Sequence, residues 1–196
     1  MNKESLLKII AESGYNVGFG AKKHFATYDI VEKLPNWISF ITITIGIIQL
    51  SYKTIACTNE ISIVLIIVGI SALYVNFYDQ EKQKYLEAGK EITKLYYKLR
   101  DLYYHVKHTS ETDYTSEQEK LEVIMGKFNN VCISKQIFLS DWWAHYKFFY
   151  QMQIEWVNEQ LHFKLIKDKV PRSLLLLFIT ILLIVIVSII IYKGGI

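Results

Sequence analysis

Two cysteines and two prolines are all that the chain holds of either residue. Cys57 and Cys132 lie in segments that the distribution of charge puts on opposite sides of a membrane. No disulfide can then join them within one chain, and Cys57 reads as a small loop residue or a cross-link to another subunit. No strand pattern is present, which removes the context that phosphate loops require. "GYNVGFGAKK" (residues 14–23) has the glycines and lysines of such a loop. However, Gly20 is followed by Ala21, Lys22 and Lys23, and no strand precedes it, so the Walker and dinucleotide fingerprints both fail. Gly-x-Ser-x-Gly, HExxH and an evident nucleophile–base pair are also missing, and the chain reads as a non-enzyme with no cofactor. His105 and His108 stand three apart, but no third ligand at a clear spacing completes a metal site, so they read as surface histidines. Charge of one sign is lacking as well. The 22 Lys and Arg nearly balance the 19 Asp and Glu, and the +3 remainder does not argue for nucleic acid. The first 33 residues show no short apolar core with a small-residue cleavage site, hence no cleavable signal peptide.

Apolar residues are abundant, at 52%, and they are concentrated in three runs. These are Leu34–Tyr52, Ile61–Tyr78 and Leu174–Tyr192. Each has about the 17–25 residues that cross a bilayer as a helix. The third has 16 Leu, Ile, Val or Phe residues and no charge. That composition favours insertion by about 5–10 kcal/mol. Five lysines precede Leu34, and 15 Lys and Arg fall between Asp79 and Ser173. Lys53 and Lys193 are the remaining two. The positive-inside rule then places the N-terminus and the middle segment in the cytoplasm and the C-terminus outside.

The expected fold is therefore an all-α membrane protein in four parts. Residues 1–33 form a cytoplasmic amphipathic N-terminal segment. Residues 34–78 form a two-span transmembrane hairpin, 79–171 a cytoplasmic helical bundle or coiled-coil region, and 172–196 a third, C-terminal transmembrane helix. Residues 3–32 read as one or two helices, weakened by Gly14, Gly18 and Gly20 at about 1 kcal/mol each. Pro35 marks the entry to the first span. Beyond Tyr78 the chain turns helical: Tyr85, Ile92, Leu99 and Val106 recur every seven residues, and Ala88, Leu95 and Leu102 interleave. This a/d seam is a candidate for oligomerisation, pairing either within the chain or with a neighbouring subunit. Ser116 and Glu119 are spaced as a capping box for the next helix. The chain must bend before returning to the membrane, with Gly126 and Asn129-Asn130 as the best sites, and a further helix starts near Ser140 or Asp141. "WWAHYKFFYQMQIEW" then sets Trp142, Tyr146, Phe149 and Trp156 at helical spacing.

The spans carry polar stripes. Ser39, Thr42, Gly46 and Gln49 share one helical face of the first, which Lys53 continues. Ser62, Gly69, Ala72 and Asn76 share one of the second. Such stripes line a pore or let helices pack closely, and the amides of Gln49 and Asn76 are costly facing lipid. Lys22, Lys23 and Trp37 are candidates for the membrane interface, with the lysines near anionic headgroups.

The glycine-bearing segment "GYNVGFGAKKHFATYDIVEKLP", followed by a short-looped hairpin and a long helical region, resembles the SLATT family over roughly residues 10–165. These are two-transmembrane effector domains associated with SMODS nucleotidyltransferases and SLOG domains. The resemblance implies a bacterial effector of nucleotide-linked, CBASS-like antiphage defence that forms homo-oligomeric pores and causes abortive infection. It also implies a nucleotide-signalling or sensor protein as partner. A third span departs from the two-span pattern. The alternative is a non-conducting membrane scaffold that recruits a soluble partner through its cytoplasmic helices.

Overall fold

The computed structural model describes residues 2–52 and 58–194, the side chains of 166 and of 190–194 apart. Lys53 and Cys57, and what the sequence suggests for them, lie outside the described residues. α1 runs unbroken from Lys3–Ser51, a helix of 49 residues. Asn2 caps it, its Oδ1 accepting the Ser5 N–H at 2.8 Å. α2 (Thr58–Asn76) returns beside the second half of α1. A short 3₁₀ turn leads into α3 (Lys82–His108). α4 (Thr115–Val131), α5 (Ser140–Gln151), α6 (Glu155–Leu161) and the single-turn α7 (Leu165–Asp168) follow, and α8 (Arg172–Gly194) ends the chain.

Several local expectations change. Pro35 does not end the N-terminal helix; it sits inside α1. Proline removes one backbone donor and crowds the carbonyl four residues back. Nearby side chains occupy the neighbouring acceptors: Ser39 Oγ donates to the Pro35 carbonyl at 2.9 Å and Asn36 Nδ2 to that of Glu32 at 3.3 Å. Of the two roles open to the three glycines, a bend or close helix approach, the structure shows close approach, because each is buried or half-buried against another element. The Ser116 capping box is not used. α4 starts one residue earlier, and Asp113 Oδ1 accepts the Thr115 N–H at 3.1 Å. Gly126 lies inside α4 with open space around it, and the chain turns only after Asn129-Asn130. α5 begins at Ser140, as the sequence predicts, but it ends at Gln151, so Trp156 belongs to α6.

The first half of α1 is the centre of a helical bundle. Leu6, Ile10, Val17 and Ala21 are fully buried, chiefly against α3, with α5 and α6 closing the remaining sides. The predicted oligomerisation seam is filled from within the chain. Tyr85, Ile92, Leu95, Leu99, Leu102 and Val106 are all buried in one copy, as is Ala88. Gly89, Tyr96 and Tyr103, each one position on, are buried too. Two helical faces of α3 are covered, by α1 and by α4 or α6, so its buried stripe is wider than a two-stranded coiled coil needs.

Outside the bundle the pattern inverts. The second half of α1, α2 and α8 are long and apolar enough to cross a membrane, and their most apolar stretches are 0%, 11% and 0% buried within the chain. Leaving so many Ile, Leu and Val side chains in water is unfavourable at about 25 cal/mol per Å². This is an all-α membrane-type fold.

Candidate functional site

The junction of bundle and hairpin is where the sequence does its most specific work. Along α1, a Cβ on Gly14 would enter the Trp156 ring. One on Gly18 would lie 2.8 Å from Phe148 and 2.9 Å from Tyr96, and one on Gly20 would lie 2.9 Å from Phe128. Across the interface, Gly89 of α3 faces Phe25 in the same way, at 3.0 Å. Each ring therefore needs a missing side chain opposite it. Trp156 Nε1 donates to the Tyr96 hydroxyl at 2.9 Å, and that hydroxyl donates to the Gln153 carbonyl at 2.6 Å. The buried polar atoms are thereby satisfied, as buried indoles and phenols require. Burial pushes the Tyr96 phenol well above its usual range.

Further along α1, His24 and Thr27 hold the segment that links α4 to α5. The His24 Nδ1–H donates to the Gly20 carbonyl at 2.7 Å, and Nε2 accepts the Ile133 N–H at 3.0 Å. Only the neutral ring can do both. Burial lowers the His24 pKa, the Gly20 hydrogen bond works against it, and the charge of Lys23 adds to the lowering. Thr27 Oγ1 donates to Gln136 Oε1 at 2.5 Å, and the Tyr85 hydroxyl donates to the Lys135 carbonyl at 2.7 Å. His24 and Thr27 escape motif searches, yet they fall on the helical face set by Val17, Ala21 and Val31, and that period would have exposed them.

Ion pairs finish the junction. Asp29 accepts from Lys33 at 2.7 Å and also pairs with Lys147 of α5. Burial raises its pKa, but the hydrogen bonds from Lys147 and Lys33 outweigh this and hold the carboxyl below its ordinary value. Lys82 bridges Glu32 at 2.8 Å and Asp79 at 2.9 Å, tying α1 to the turn after α2. Of the interface candidates, Lys23 pairs with Asp141 at 2.7 Å. Lys22 is half-buried with its ammonium 5.9 Å from the Phe25 ring centre. Burial, then Lys147, lowers the Lys22 pKa. Both lysines lie in the bundle, roughly 20 Å before Pro35 along the helix at 1.5 Å per residue. Trp37 is exposed at the start of the first apolar run, edge-on to Phe40.

The polar stripes of the hairpin divide. Thr42 and Gln49 of α1 and Ser62 and Ala72 of α2 are half-buried, as is Gly46, although nothing lies within 4 Å of where a Cβ on Gly46 would stand. Ser39, Gly69 and Asn76 are exposed. Gln49 Nε2 donates to the Thr58 carbonyl at 3.3 Å across the hairpin, and Ser62 Oγ to the same carbonyl at 2.8 Å. The Thr42 hydroxyl is buried without a partner. Elsewhere, Lys98, Lys120 and Lys127 line a groove of about 630 Å³ between α3 and α4, together with Asp101 and Glu119. Among the described residues no group of three or more His, Cys, Asp or Glu could hold a metal. His108 turns to the Tyr104 carbonyl and His105 to Glu117.

A family model described as SMODS and SLOG-associating 2TM effector domain 6 matches residues 1–178. The chain belongs to the SLATT family. The SLATT region takes in the bundle, the hairpin, the linker and the start of α8. Most of the third apolar helix lies beyond the matched residues. No curated protein and no solved structure matches the chain. By its family description this SLATT chain is an effector domain with two transmembrane helices, associated with SMODS and SLOG systems.

Proposed function

We propose that the chain is a membrane effector of nucleotide-linked antiphage defence that, as a homo-oligomer, opens a conductive path and disables the infected cell. The bundle lies in the cytoplasm of a bacterium, where 20 of the 22 basic residues fall on its side of the membrane or in the approach to it. The observation that supports this reading is the continuity of α1. One helix is packed into the bundle at Gly14 and Gly18 and forms the first span at Thr42 to Gln49. A movement of the bundle is then a movement of the span. Thr42 and Gln49 of α1 and Ser62 and Ala72 of α2 are half-buried in the hairpin, and separating the two helices would turn polar groups toward a shared lumen. A partner that makes or senses a nucleotide signal would act on the bundle.

Induced expression in bacteria, followed with a potential-sensitive dye, tests this. Depolarisation is expected, and Gln49→Leu, which removes the amide bridging the hairpin, is expected to change its extent at least several-fold. Unchanged potential with correctly inserted, abundant protein refutes conduction. Capture of a soluble partner under that condition would instead favour the scaffold reading, for which the exposed Tyr146 and Tyr150 of α5 offer a surface.

A further inference from the structure

The linker into α5 stands among the bundle-side ends of all three apolar helices. Leu34 of α1 and Ser71 and Tyr74 of α2 form one wall of a groove of about 620 Å³, and Phe138, Leu139 and Trp143 form the other. Ser71 lies five residues before the end of α2, so the groove reaches roughly 8 Å along that helix. Its lining is largely apolar; of the two hydroxyls in it, that of Ser71 donates to the Ile67 carbonyl of its own helix at 2.9 Å and that of Tyr74 lies 3.4 Å from the Tyr78 hydroxyl. At the linker, Trp142 Nε1 donates to Ser173 Oγ at 2.8 Å, which fixes the first turn of α5 to the first turn of α8. Phe138 is 72% exposed and Trp143 43% exposed. Leu139 holds a left-handed φ of 68°, an uncommon conformation for a side chain other than glycine. Large apolar side chains so exposed, beside three membrane helices, meet lipid and not water.

We infer that this groove holds one acyl chain of a phospholipid from the leaflet on the bundle side. A polar cleft of about 390 Å³ shares Phe138, Leu139 and Trp142 with the groove and stands where the headgroup would lie. It contains Lys23 and Asp141, already paired at 2.7 Å, so it brings no net charge. Recognition is then of the chain and not of an anionic headgroup. The site follows from membrane insertion alone and stands whether or not the protein conducts.

Photolabelling tests it. The full chain is reconstituted in nanodiscs with phosphatidylethanolamine or phosphatidylglycerol carrying a diazirine on one acyl chain, irradiated, digested and mapped by mass spectrometry. Adducts are expected within residues 71–75 and 137–143 from both lipids alike. Ser71→Trp, which fills the groove, and Phe138→Asp, which makes its rim polar, should each reduce them at least five-fold while adducts on α8 persist as the control for folding and insertion. Labelling of α8 with none in the groove overturns the inference. So do labelling that neither variant reduces, labelling by the anionic lipid alone, or a cross-link from the groove to a second copy in place of lipid.

Discussion

At Gly18 a hydrogen atom is all that separates α1 from two aromatic rings. An added methyl would press on Phe148 and Tyr96, both buried and both held by other contacts. Overpacking of this kind costs about 1–3 kcal/mol, against a helix-propensity gain of at most about 1. Gly18→Ala is therefore expected to lower stability by about 1–2 kcal/mol. Gly126→Ala, made where nothing lies within 4 Å, is expected to raise it by up to about 1 kcal/mol. Thermal denaturation in detergent compares the two. His24 gives a second test at this scale. Its pKa and that of His145 are both lowered from 6.5 in the fold, by burial first in each case. The unfolded chain then binds protons more readily, so stability is full above pH 6.5 and is lost as pH falls toward the folded values. The slope is at most about 1.4 kcal/mol per pH unit for each ring. Asp29, with a folded pKa lowered from 3.8, loses its contribution only at still lower pH. Melting between pH 7.5 and 5.5 should show the decline, and His24→Asn should reduce it.

Among the elements, α1 is the one whose extent the sequence conceals. Pro35 and three glycines argue locally for a break. The cost of the glycines is borne by packing that lies tens to more than a hundred residues away in sequence, at Trp156, Phe148, Tyr96 and Phe128. Replacing Pro35 with Ala restores a donor for the Val31 carbonyl and is expected to stabilise the junction by about 1–3 kcal/mol. Amide hydrogen exchange across residues 31–39 should slow accordingly, and unchanged exchange would show that the helix carries no strain there. Other elements are legible from the start. The three spans follow from length and apolarity, and α5 starts at the predicted Ser140. The heptad residues are buried within the chain, yet periodicity alone reports that a stripe is covered and not by which helix. The partners are α1 on one side and α4 and α6 on the other. The linker contacts of His24 and Thr27 were hidden for a related reason. They join residues 109 apart, a pairing that no local pattern encodes.

On the scale of the molecule, two solvents divide one chain. The bundle buries its apolar residues against itself, while the three apolar helices leave theirs outward, and α1 belongs to both parts. A single rigid helix shared in this way has an angular consequence. Each residue added to an α-helix rotates the remainder of the helix by about 100° and advances it by about 1.5 Å. One alanine inserted between Lys33 and Leu34 would leave the glycine face seated on Trp156 and Phe148, yet swing Thr42 and Gln49 away from α2. Seven inserted alanines would push the span outward by about 10 Å but bring that face to within about 20° of its original direction. Depolarisation measured against insertion length should therefore oscillate, with a loss at one to two residues and a partial return at seven. A smooth decline with length would mean that only the reach of the helix matters. An oscillation would mean that the bundle dictates the compass bearing of the span.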